Sequence, residues 1–332
     1  MKFTRKIFYY LVIILSTVII IISLLSLIHD LKFWYFKILD FPRLQYLIAA
    51  GLLFILFAIQ NKTWKLPAIF LGLGLLVSIF IHGQLISPYY FGEKTVSDAS
   101  ASGIDNENKM SILIVNVLIT NKNSEELIQI IQNANPDLIL AMEVNQWWVD
   151  QLGTLKNEYP HSMEVPLDNA YGMALFSKFT LKDKEIAYLN QDDVPSFHTK
   201  IMLSSGKSFN FNGVHPVPPV PSGKYPDNVG EKEVALIKVG KMVEKNGEPS
   251  IVTGDFNDVS WSQTSRLFNE SGILNNVRIG RGIYSSFNAQ SSILRWPLDH
   301  FFVTKEFKLL RLERLSEFGS DHFPMLAEFI LD

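Results

Sequence analysis

The chain has 332 residues, of which 48% are hydrophobic, and a formal net charge of −3 at pH 7. It contains no cysteine, which excludes disulfide bonds, thiolate catalysis and zinc–thiolate sites. The first 109 residues hold 10 Lys/Arg and 6 Asp/Glu, a net of +4, whereas residues 110–332 hold 20 and 27, a net of −7. An acidic part of this size disfavours nucleic-acid binding by counterion release but leaves room for a local basic patch.

Three apolar segments near the N-terminus are candidates for crossing a bilayer. Residues 7–28 contain no charge, and their length and the lack of a small-residue cleavage site argue against a cleaved signal peptide. Residues 44–60 and 66–87 follow, separated by the short loop NKTWK. The sequence therefore predicts an integral membrane protein with an anchor over 1–87 that contains three transmembrane helices.

Basic residues before the first segment predict its orientation. Lys2, Arg5 and Lys6 favour a cytoplasmic N-terminus by the positive-inside rule. With three spans, everything after residue 88 then lies outside the cytoplasm, although three further basic residues of the loop 29–43 lie on that same side. If 44–60 were an interfacial hairpin instead of a span, the rest of the chain would lie inside.

The remainder of the chain predicts a linker and one α/β domain. Residues 88–109 are expected to form the linker, because their second half is polar and rich in small residues. In 110–332, apolar runs of strand length alternate with helical patterns at 124–134, which begins with a Ser cap, and at 228–246. The runs are SILIVNVL, DLILAMEV, YGMALFSKF, SFNFNGVH, SIVTGDFN, PLDHFFVT and HFPMLAEFIL. This alternation predicts an α/β sandwich with sheets inside and helices outside.

Residues 251–260, IVTGDFNDVS, end a predicted strand with an acid and an amide. Gly, Asp and Asn commonly form turns, but Asp255 and Asn257 are two apart and would point the same way on an extended backbone. Polar residues also interrupt or end the other apolar runs: Asn116, Glu143, His215, Asp299, Asp321 and His322. Because unpaired charges are costly beside apolar strands, the recurrence favours a hard-cation site with a proton-transfer histidine.

These motifs resemble those of the endonuclease/exonuclease/phosphatase superfamily, which has a DNase-I-like fold. The resemblance covers essentially all of 111–332 and rests on NVLITN, LILAMEVNQWW, GMALFSKFTL, GVHPVPP, VTGDFND, PLDHFFV and GSDHFPM in this order. The chain is most similar to bacterial members that carry an N-terminal membrane anchor. The resemblance implies a four-layered α/β sandwich, preceded here by three transmembrane helices, with the active site where strand ends of both sheets converge.

The resemblance also implies a Mg²⁺ cofactor, with Mn²⁺ as an alternative, and hydrolysis of a phosphate ester by in-line attack of water. Glu143 resembles the principal metal carboxylate of the family. Asn116 would lie beside it, and Asp321 would be available to a second or shifted metal position. Carboxylate and amide oxygens are the ligands that a hard cation prefers.

The remaining roles follow from the same resemblance. Asp255 would orient or deprotonate the attacking water, and Asn257 would donate a hydrogen bond to the phosphate. Asn169 matches an amide found near the phosphate in the family.

The resemblance implies catalytic roles for two histidines, and strand alternation predicts a structural role for a third. His322 resembles the catalytic histidine, with Asp299 fixing its tautomer, and His215 resembles a second catalytic histidine of the DNase-I-like and sphingomyelinase branches. Which of the two is the acid and which the base stays open. His300 directly follows Asp299 and is expected to face the other way, in a structural role.

The substrate is left open by the sequence. A phospholipid headgroup, a small phosphoester or a nucleic acid would all be phosphate-ester partners, and the lipid bilayer is the other expected partner; no protein partner is indicated. The chain shows no Arg/Lys-rich insertion for reading a DNA groove, and only Asp168 or Asn169 could pair with His215 as a carboxylate does in DNase-I-like nucleases. We predict a membrane-anchored phosphodiesterase or phosphatase. The alternatives are an extracytoplasmic DNase-I-like endonuclease and a non-catalytic binding domain on the same fold.

Overall fold

The structure is a computed structural model that describes residues 2–28, 34–99, 106–220, 235–270 and 272–332. Within these ranges, four helices precede the globular part: α1 (Lys2–Leu25), α2 (Trp34–Lys37), α3 (Arg43–Gln60) and α4 (Leu66–Phe91). Helices α1, α3 and α4 are each long and apolar enough to span a membrane, which confirms the three predicted segments as candidate spans. Helix α4 continues to Phe91, beyond the predicted boundary at residue 87.

The three long helices pack on one another through a small apolar cluster. Val12 of α1, Leu53 and Phe57 of α3 and Leu75 of α4 are buried in it. Most other apolar side chains on these helices face outward, including Phe80, which is 68% exposed. A continuous apolar exterior of this kind is what contact with lipid would cover.

The globular part contains two six-stranded mixed sheets. In chain order its described strands are β1 (Lys109–Asn116), β2 (Leu138–Met142), β3 (His161–Val165), β4 (Met173–Ser177), β5 (Thr180–Ala187), β6 (Ser196–Met202), β7 (Ser208–Val214), β8 (Ser250–Asp255), β9 (Asn275–Asn276), β10 (Asp299–Val303), β11 (Phe307–Arg314) and β12 (Met325–Leu331). The first sheet has the order β11-β12-β1-β2-β4-β3, and the second has the order β5-β6-β7-β8-β10-β9.

Helices cover the outer face of each sheet, so the domain has four layers. The described helices are α5 (Ser124–Ala134), α6 (Gln146–Leu152), α7 (Ala235–Asn246) and α8 (Gln263–Glu270). Leu140 and Met325 of the first sheet pack against Phe211 and Phe301 of the second in the central core. Trp148 of α6 belongs to a separate cluster on the outer face of the first sheet. The predicted α/β sandwich is confirmed.

The topology brings two strand ends together at one edge. Strand β1 pairs with β2 in parallel, and β7 pairs with β8 in parallel, so polar residues at their carboxyl ends lie on the same side of each sheet. Asn116 ends β1 and Asp255 ends β8, and the Asn116 Nδ2 atom donates to Asp255 Oδ2 over 3.1 Å. This contact joins the two sheets at the position where the sequence predicts a site.

Two predicted segments differ in detail from the structure. Helix α5 begins at Ser124, but its N-cap residue is Asn123, and Ser124 makes no capping hydrogen bond to the backbone. The helix predicted over 228–246 is observed from Ala235, while 228–234 lie outside the described residues.

The segment predicted as a linker is partly packed onto the domain. Val96 is buried in the central core. The Ala99 N–H donates to the Leu309 carbonyl, and Asp98 forms a β-bridge with the same residue. Residues 100–105 lie outside the described part, so the boundary between linker and domain stays a prediction.

The anchor also contacts the domain directly. Trp261 Nε1 donates to the Asp40 carbonyl over 2.6 Å, and its ring packs edge-on against Tyr89 at the end of α4. Arg43 forms a buried ion pair with Asp40 and donates to the Ser26 carbonyl over 2.9 Å. The Arg43 charge is therefore neutralised inside the protein, which removes one of the basic residues that opposed the predicted orientation.

We expect a chain that begins at residue 110 to be less stable than one that begins at residue 88. The shorter chain loses Val96 from the core, and burying such a side chain stabilises a protein by about 1.5–3 kcal/mol. For a domain of this size the midpoint of thermal unfolding should fall by several degrees. Differential scanning calorimetry of the two fragments measures it, and Val96→Ala in the longer fragment is the matched variant. Equal midpoints would contradict the packing described for residues 88–99.

Candidate active site

Asp255 lies at the centre of the polar cluster at the strand ends. Besides Asn116, its Oδ2 atom faces Nε2 of His322 at 3.5 Å and Nε2 of His215 at 3.7 Å. Its Oδ1 atom accepts a hydrogen bond from the Asn257 N–H over 2.8 Å. Burial raises the pKa of Asp255, and the nearby positive charge of His322 opposes this shift only in part. Such a carboxylate is suited to accept a proton.

His322 is held between two carboxylates. Its Nδ1 atom lies 2.8 Å from Asp299 Oδ2, while Nε2 faces Asp255. Burial alone lowers the pKa of His322, but Asp299 and Asp255 outweigh it and raise the pKa to about 10. Asp299 in turn has a lowered pKa, because the charge and hydrogen bond of His322 outweigh its burial. The imidazole is therefore charged at neutral pH.

The structure places the three residues predicted as metal ligands together beside this cluster. Asn116 Nδ2 donates to Glu143 Oε1 over 2.8 Å, and the Ile119 N–H donates to Glu143 Oε2 over 3.3 Å. Burial raises the pKa of Glu143, and the charge of Asp321 acts in the same direction. The Asn116 Oδ1 atom accepts from the Leu118 N–H, so its amide nitrogen faces the carboxylates. Asn116 would have to turn its amide to coordinate a metal through oxygen.

The donor set fits a divalent cation. Asp321 Oδ1 is shielded from solvent and has no hydrogen-bond partner among the described residues. The charge of Asp321 raises the pKa of Glu143, so a cation between the two carboxylates would be favourable, and oxygen ligands suit Mg²⁺ or Mn²⁺. Asp255, Asp299 and His322 also offer atoms within 4.8 Å of one another. Both ring nitrogens of His322 are already engaged there, which favours proton transfer over metal binding for that group.

His215 faces the same carboxylate from the neighbouring strand of the second sheet. His215 directly follows β7 and is buried. Its ring packs against Tyr171 with 5.3 Å between ring centroids. Burial lowers the pKa of His215, although Asp255 acts against this, so the ring is neutral at neutral pH. Its Nδ1 atom has no hydrogen-bond partner among the described residues. Asn169 does not supply one: it donates to the Asp193 carbonyl over 3.3 Å and accepts from the Tyr171 N–H.

Asn257 occupies a strained position after β8. Its φ of 51° lies in the left-handed region, which non-glycine residues rarely adopt, and Glu143 has a φ of 61°. Strain of this kind is concentrated at functional sites. The Asn257 Nδ2 atom donates to the Pro216 carbonyl over 3.0 Å, which ties the loop after β8 to the loop after His215.

The structure places His300 in the core, away from the cluster, as alternation along β10 predicts. Its Nε2 donates to the Asp258 carbonyl over 2.9 Å, and Arg278 Nη1 lies 3.1 Å from its Nδ1. Burial lowers the pKa of His300 to about 3. Arg278 is fully buried and also donates to the Asp299 carbonyl.

Sequence reasoning missed three supports of the site. Arg278 fixes the backbone at Asp299, and Ser286 Oγ accepts from the Asp299 N–H over 3.2 Å. The ring of Phe287 packs on His322 with centroids 4.9 Å apart. All three lie in an irregular segment without periodicity, and they reach the site only through long-range contacts. The available sequence signal is that residues 271–298 hold three arginines and no Asp or Glu.

Comparison with known proteins is consistent with this geometry. The sequence model of the Endonuclease/Exonuclease/phosphatase family matches residues 113–322, well over half of the chain. No curated protein is similar enough in sequence to match the chain.

Three solved structures illustrate the similarity in fold. An endonuclease/exonuclease/phosphatase from Bacteroides vulgatus is 20% identical, with a TM-score of 0.54 over 68% of this chain and 99% of that one. TDP2 of D. rerio, complexed with single strand DNA product, is 15% identical, with a TM-score of 0.52 over 67% and 98%. The human Nocturnin catalytic domain, with a bound sulfate anion, is 16% identical, with a TM-score of 0.53 over 68% and 94%. At these identities the likeness extends to the fold alone.

Proposed function

The chain belongs to the endonuclease/exonuclease/phosphatase family, and we propose that it is a membrane-anchored phosphoesterase that cleaves a phosphate ester by in-line attack of water. Members of this family are metal-dependent phosphoesterases and nucleases, so hydrolysis of phosphoric esters is its activity at family level. The observation that carries the finer proposal is the contact of Asp255 with His322, His215 and Asn116, beside the carboxylates of Glu143 and Asp321.

Asp255 and His322 have different roles in the proposed reaction. Asp255, with its raised pKa, accepts the proton of the attacking water and orients it. His322, kept charged by Asp299, places positive charge beside the phosphoryl oxygens as negative charge develops there. His215 is neutral, and its Nε2 atom, which faces Asp255, would contact the leaving oxygen.

Glu143 and Asp321 are the residues that would hold the divalent metal, with Asn116 beside them. A bound Mg²⁺ or Mn²⁺ would supply charge stabilisation to the phosphoryl and leaving oxygens. Asn257 would contact the phosphate through the amide hydrogen that does not bind Pro216. Asn169 would act indirectly. It accepts a hydrogen bond from the Tyr171 N–H and so positions the Tyr171 ring against His215.

The packing of the anchor supports a substrate at or near a membrane surface. The segment just before α3 and the end of α4 contact the domain close to the loop that follows Asp255, through Asp40 and Tyr89 on Trp261. The net charge of −7 over 110–332 disfavours a long nucleic acid. A phospholipid headgroup or a small phosphoester therefore fits better than DNA.

The test is a hydrolysis panel on the full chain in detergent with Mg²⁺ present. It should include phospholipids, sphingomyelin, phosphorylated sugars and inositols, single-stranded DNA and double-stranded DNA. We expect turnover of a phospholipid or a small phosphoester and little turnover of either DNA. Preferential cleavage of DNA would support the endonuclease instead. Hydrolysis of none of these, by a protein that binds the metal, would support a non-catalytic binding domain.

The contacts of the anchor also support three spans, and three spans with a cytoplasmic N-terminus would put the domain outside the cytoplasm. The end of α1 lies next to the start of α3, because Arg43 binds Ser26, and the end of α4 packs on the domain. The end of α1, the start of α3 and the end of α4 thus lie on the same side as the domain. This is the arrangement expected if the three helices each cross the membrane. We expect a reporter fused after Asp332 to be active only outside the cytoplasm. Activity of a cytoplasm-only reporter at the same position, with an external one silent, would overturn the orientation.

A further inference from the structure

An open cavity of about 540 Å³ lies between the anchor and the domain, apart from the hydrolytic cluster. Helix α3 contributes Leu44 and Gln45 of its first turn, and α4 contributes Tyr90 near its end. The domain side is formed by the loop before β10 and by the end of β11. Gln45 Nε2 donates to the Ile293 carbonyl over 2.8 Å, which joins the two sides.

Two arginines give the cavity its charge. The guanidinium groups of Arg295 and Arg314 lie 4.8 and 4.4 Å from the centroid of the Phe323 ring. Arg295 donates to the carbonyls of Asn288 and Ala289, and Arg314 donates to the carbonyl of Ser285. Each side chain is thereby held in place while some of its five N–H groups remain for a ligand.

The charge of this pair is not balanced by the protein. Within the described part of the chain, neither arginine has a carboxylate oxygen within 4.0 Å. Glu313 also lines the cavity, but it is paired with Arg311. Partial burial lowers the pKa of Arg314, and the charge of Arg295 acts in the same direction. An anion bound between the two guanidinium groups would offset the cost of burying Arg314 and the repulsion between the two positive charges.

The surroundings of the cavity are apolar on the membrane side. Ile293 is 73% exposed and Leu294 is 54% exposed on the loop above it. Tyr90 and Phe91 are exposed at the end of α4, where the helix would leave the bilayer. A basic cavity beside exposed apolar side chains is complementary to a phosphate that carries acyl chains.

We propose that Arg295 and Arg314 bind a phosphate anion in this cavity, apart from the ester that is hydrolysed. Two guanidinium groups fixed over one aromatic ring can each offer paired N–H groups to phosphate oxygens. The phosphate belongs either to a membrane phospholipid or to a free ion, and both share this chemistry. Phe323 follows His322 in the chain, so an anion here would also hold the segment that carries the catalytic histidine.

The test is isothermal titration calorimetry on the full chain in a phosphate-free detergent, with a chelator present. The chelator keeps the hydrolytic site without metal, so binding is measured separately from turnover. The probes are phosphatidylglycerol in mixed micelles, inorganic phosphate, and diacylglycerol, which has the chains but no phosphate. The variants are Arg295→Gln with Arg314→Gln, and Lys308→Gln as a control on the same strand, outside the cavity and paired with Asp332.

We expect phosphatidylglycerol to bind, and the double variant to bind it at least about tenfold more weakly, as loss of charged hydrogen bonds implies. Lys308→Gln should bind as the original chain does. Binding of the lipid without inorganic phosphate identifies a membrane source, and binding of both with the same dependence on the arginines identifies phosphate itself.

Three outcomes would overturn the proposal: no binding of either phosphate probe, equal binding by the double variant, or equal binding of diacylglycerol. If the double glutamine variant does not fold, the same measurement is made on Arg295→Lys with Arg314→Lys. Lysine keeps the charge but lacks the planar group, so binding should again weaken; unchanged affinity would count against the arginine geometry.

Discussion

His322→Ala is expected to lower kcat by about 10²–10⁴-fold, the usual cost of losing one general acid–base group. The loss should be near the upper end, because the variant also removes the positive charge between Asp255 and Asp299 and leaves two buried carboxylates facing each other. The measurement is kcat of the full chain on its best substrate, at saturating Mg²⁺. Near-UV circular dichroism checks that the fold is kept.

Two other histidines serve as controls. His161→Ala, on the edge strand β3, should leave kcat unchanged. His300→Ala should mainly lower the free energy of unfolding, by about 1–3 kcal/mol, because it removes an acceptor of Arg278 and a donor to Asp258 in the core. A larger loss of kcat in His300→Ala than in His322→Ala would show that the wrong histidine has been assigned to the site.

Removal of divalent metal is the second large effect we expect. Without the cation, several kcal/mol of charge stabilisation in the transition state is lost, which corresponds to at least about 10²-fold in rate. Hydrolysis by the full chain should stop in excess chelator and return when Mg²⁺ or Mn²⁺ is added. Undiminished hydrolysis in excess chelator would refute the metal role.

A substitution of Glu143 tests whether the metal binds at that carboxylate. Glu143→Gln should raise the dissociation constant for Mn²⁺, measured by electron paramagnetic resonance, by tenfold or more, about the effect of losing one charged ligand. Glu248→Gln is the matched control, since Glu248 is an exposed carboxylate held by Lys200 and Asn210 just before the start of β8, at the opposite end of that strand from Asp255. Equal Mn²⁺ affinities for both variants would move the metal away from Glu143.

The buried strands of the fold could be predicted because their sequences are continuous apolar runs. Strands β1, β2, β8, β10 and β12 all lie inside a sheet, where both faces are covered. The unpredicted strands β3, β5 and β11 lie at sheet edges, and β5 and β11 carry exposed charged residues, as in TLKDKEIA. Strand β6 is interior but alternates polar with apolar residues. Edge strands need fewer apolar residues, and they therefore lack the signal that identifies the others.

The site could be predicted for a related reason. A charge at the end of an apolar strand is costly unless it has a function or a partner, so Glu143, Asp255 and Asp299 stand out in the sequence. Arg278 and Ser286 act on the site only through backbone contacts that form on folding. Likewise, the hydrogen bond from Trp261 to Asp40 joins residues more than two hundred positions apart, and no local pattern indicates it.

That hydrogen bond, together with the Tyr89–Trp261 contact, makes the anchor part of the scaffold of the enzyme and not a tether. A domain on a flexible tether samples a volume set by the length of its linker, and its effective concentration at the membrane falls as the linker grows. If the three helices cross a membrane as we propose, side-chain packing would set the height and tilt of the active site above the bilayer. Replacement of the three helices by an unrelated membrane anchor would keep the protein at the membrane but release this alignment, so the anchor is not an exchangeable module.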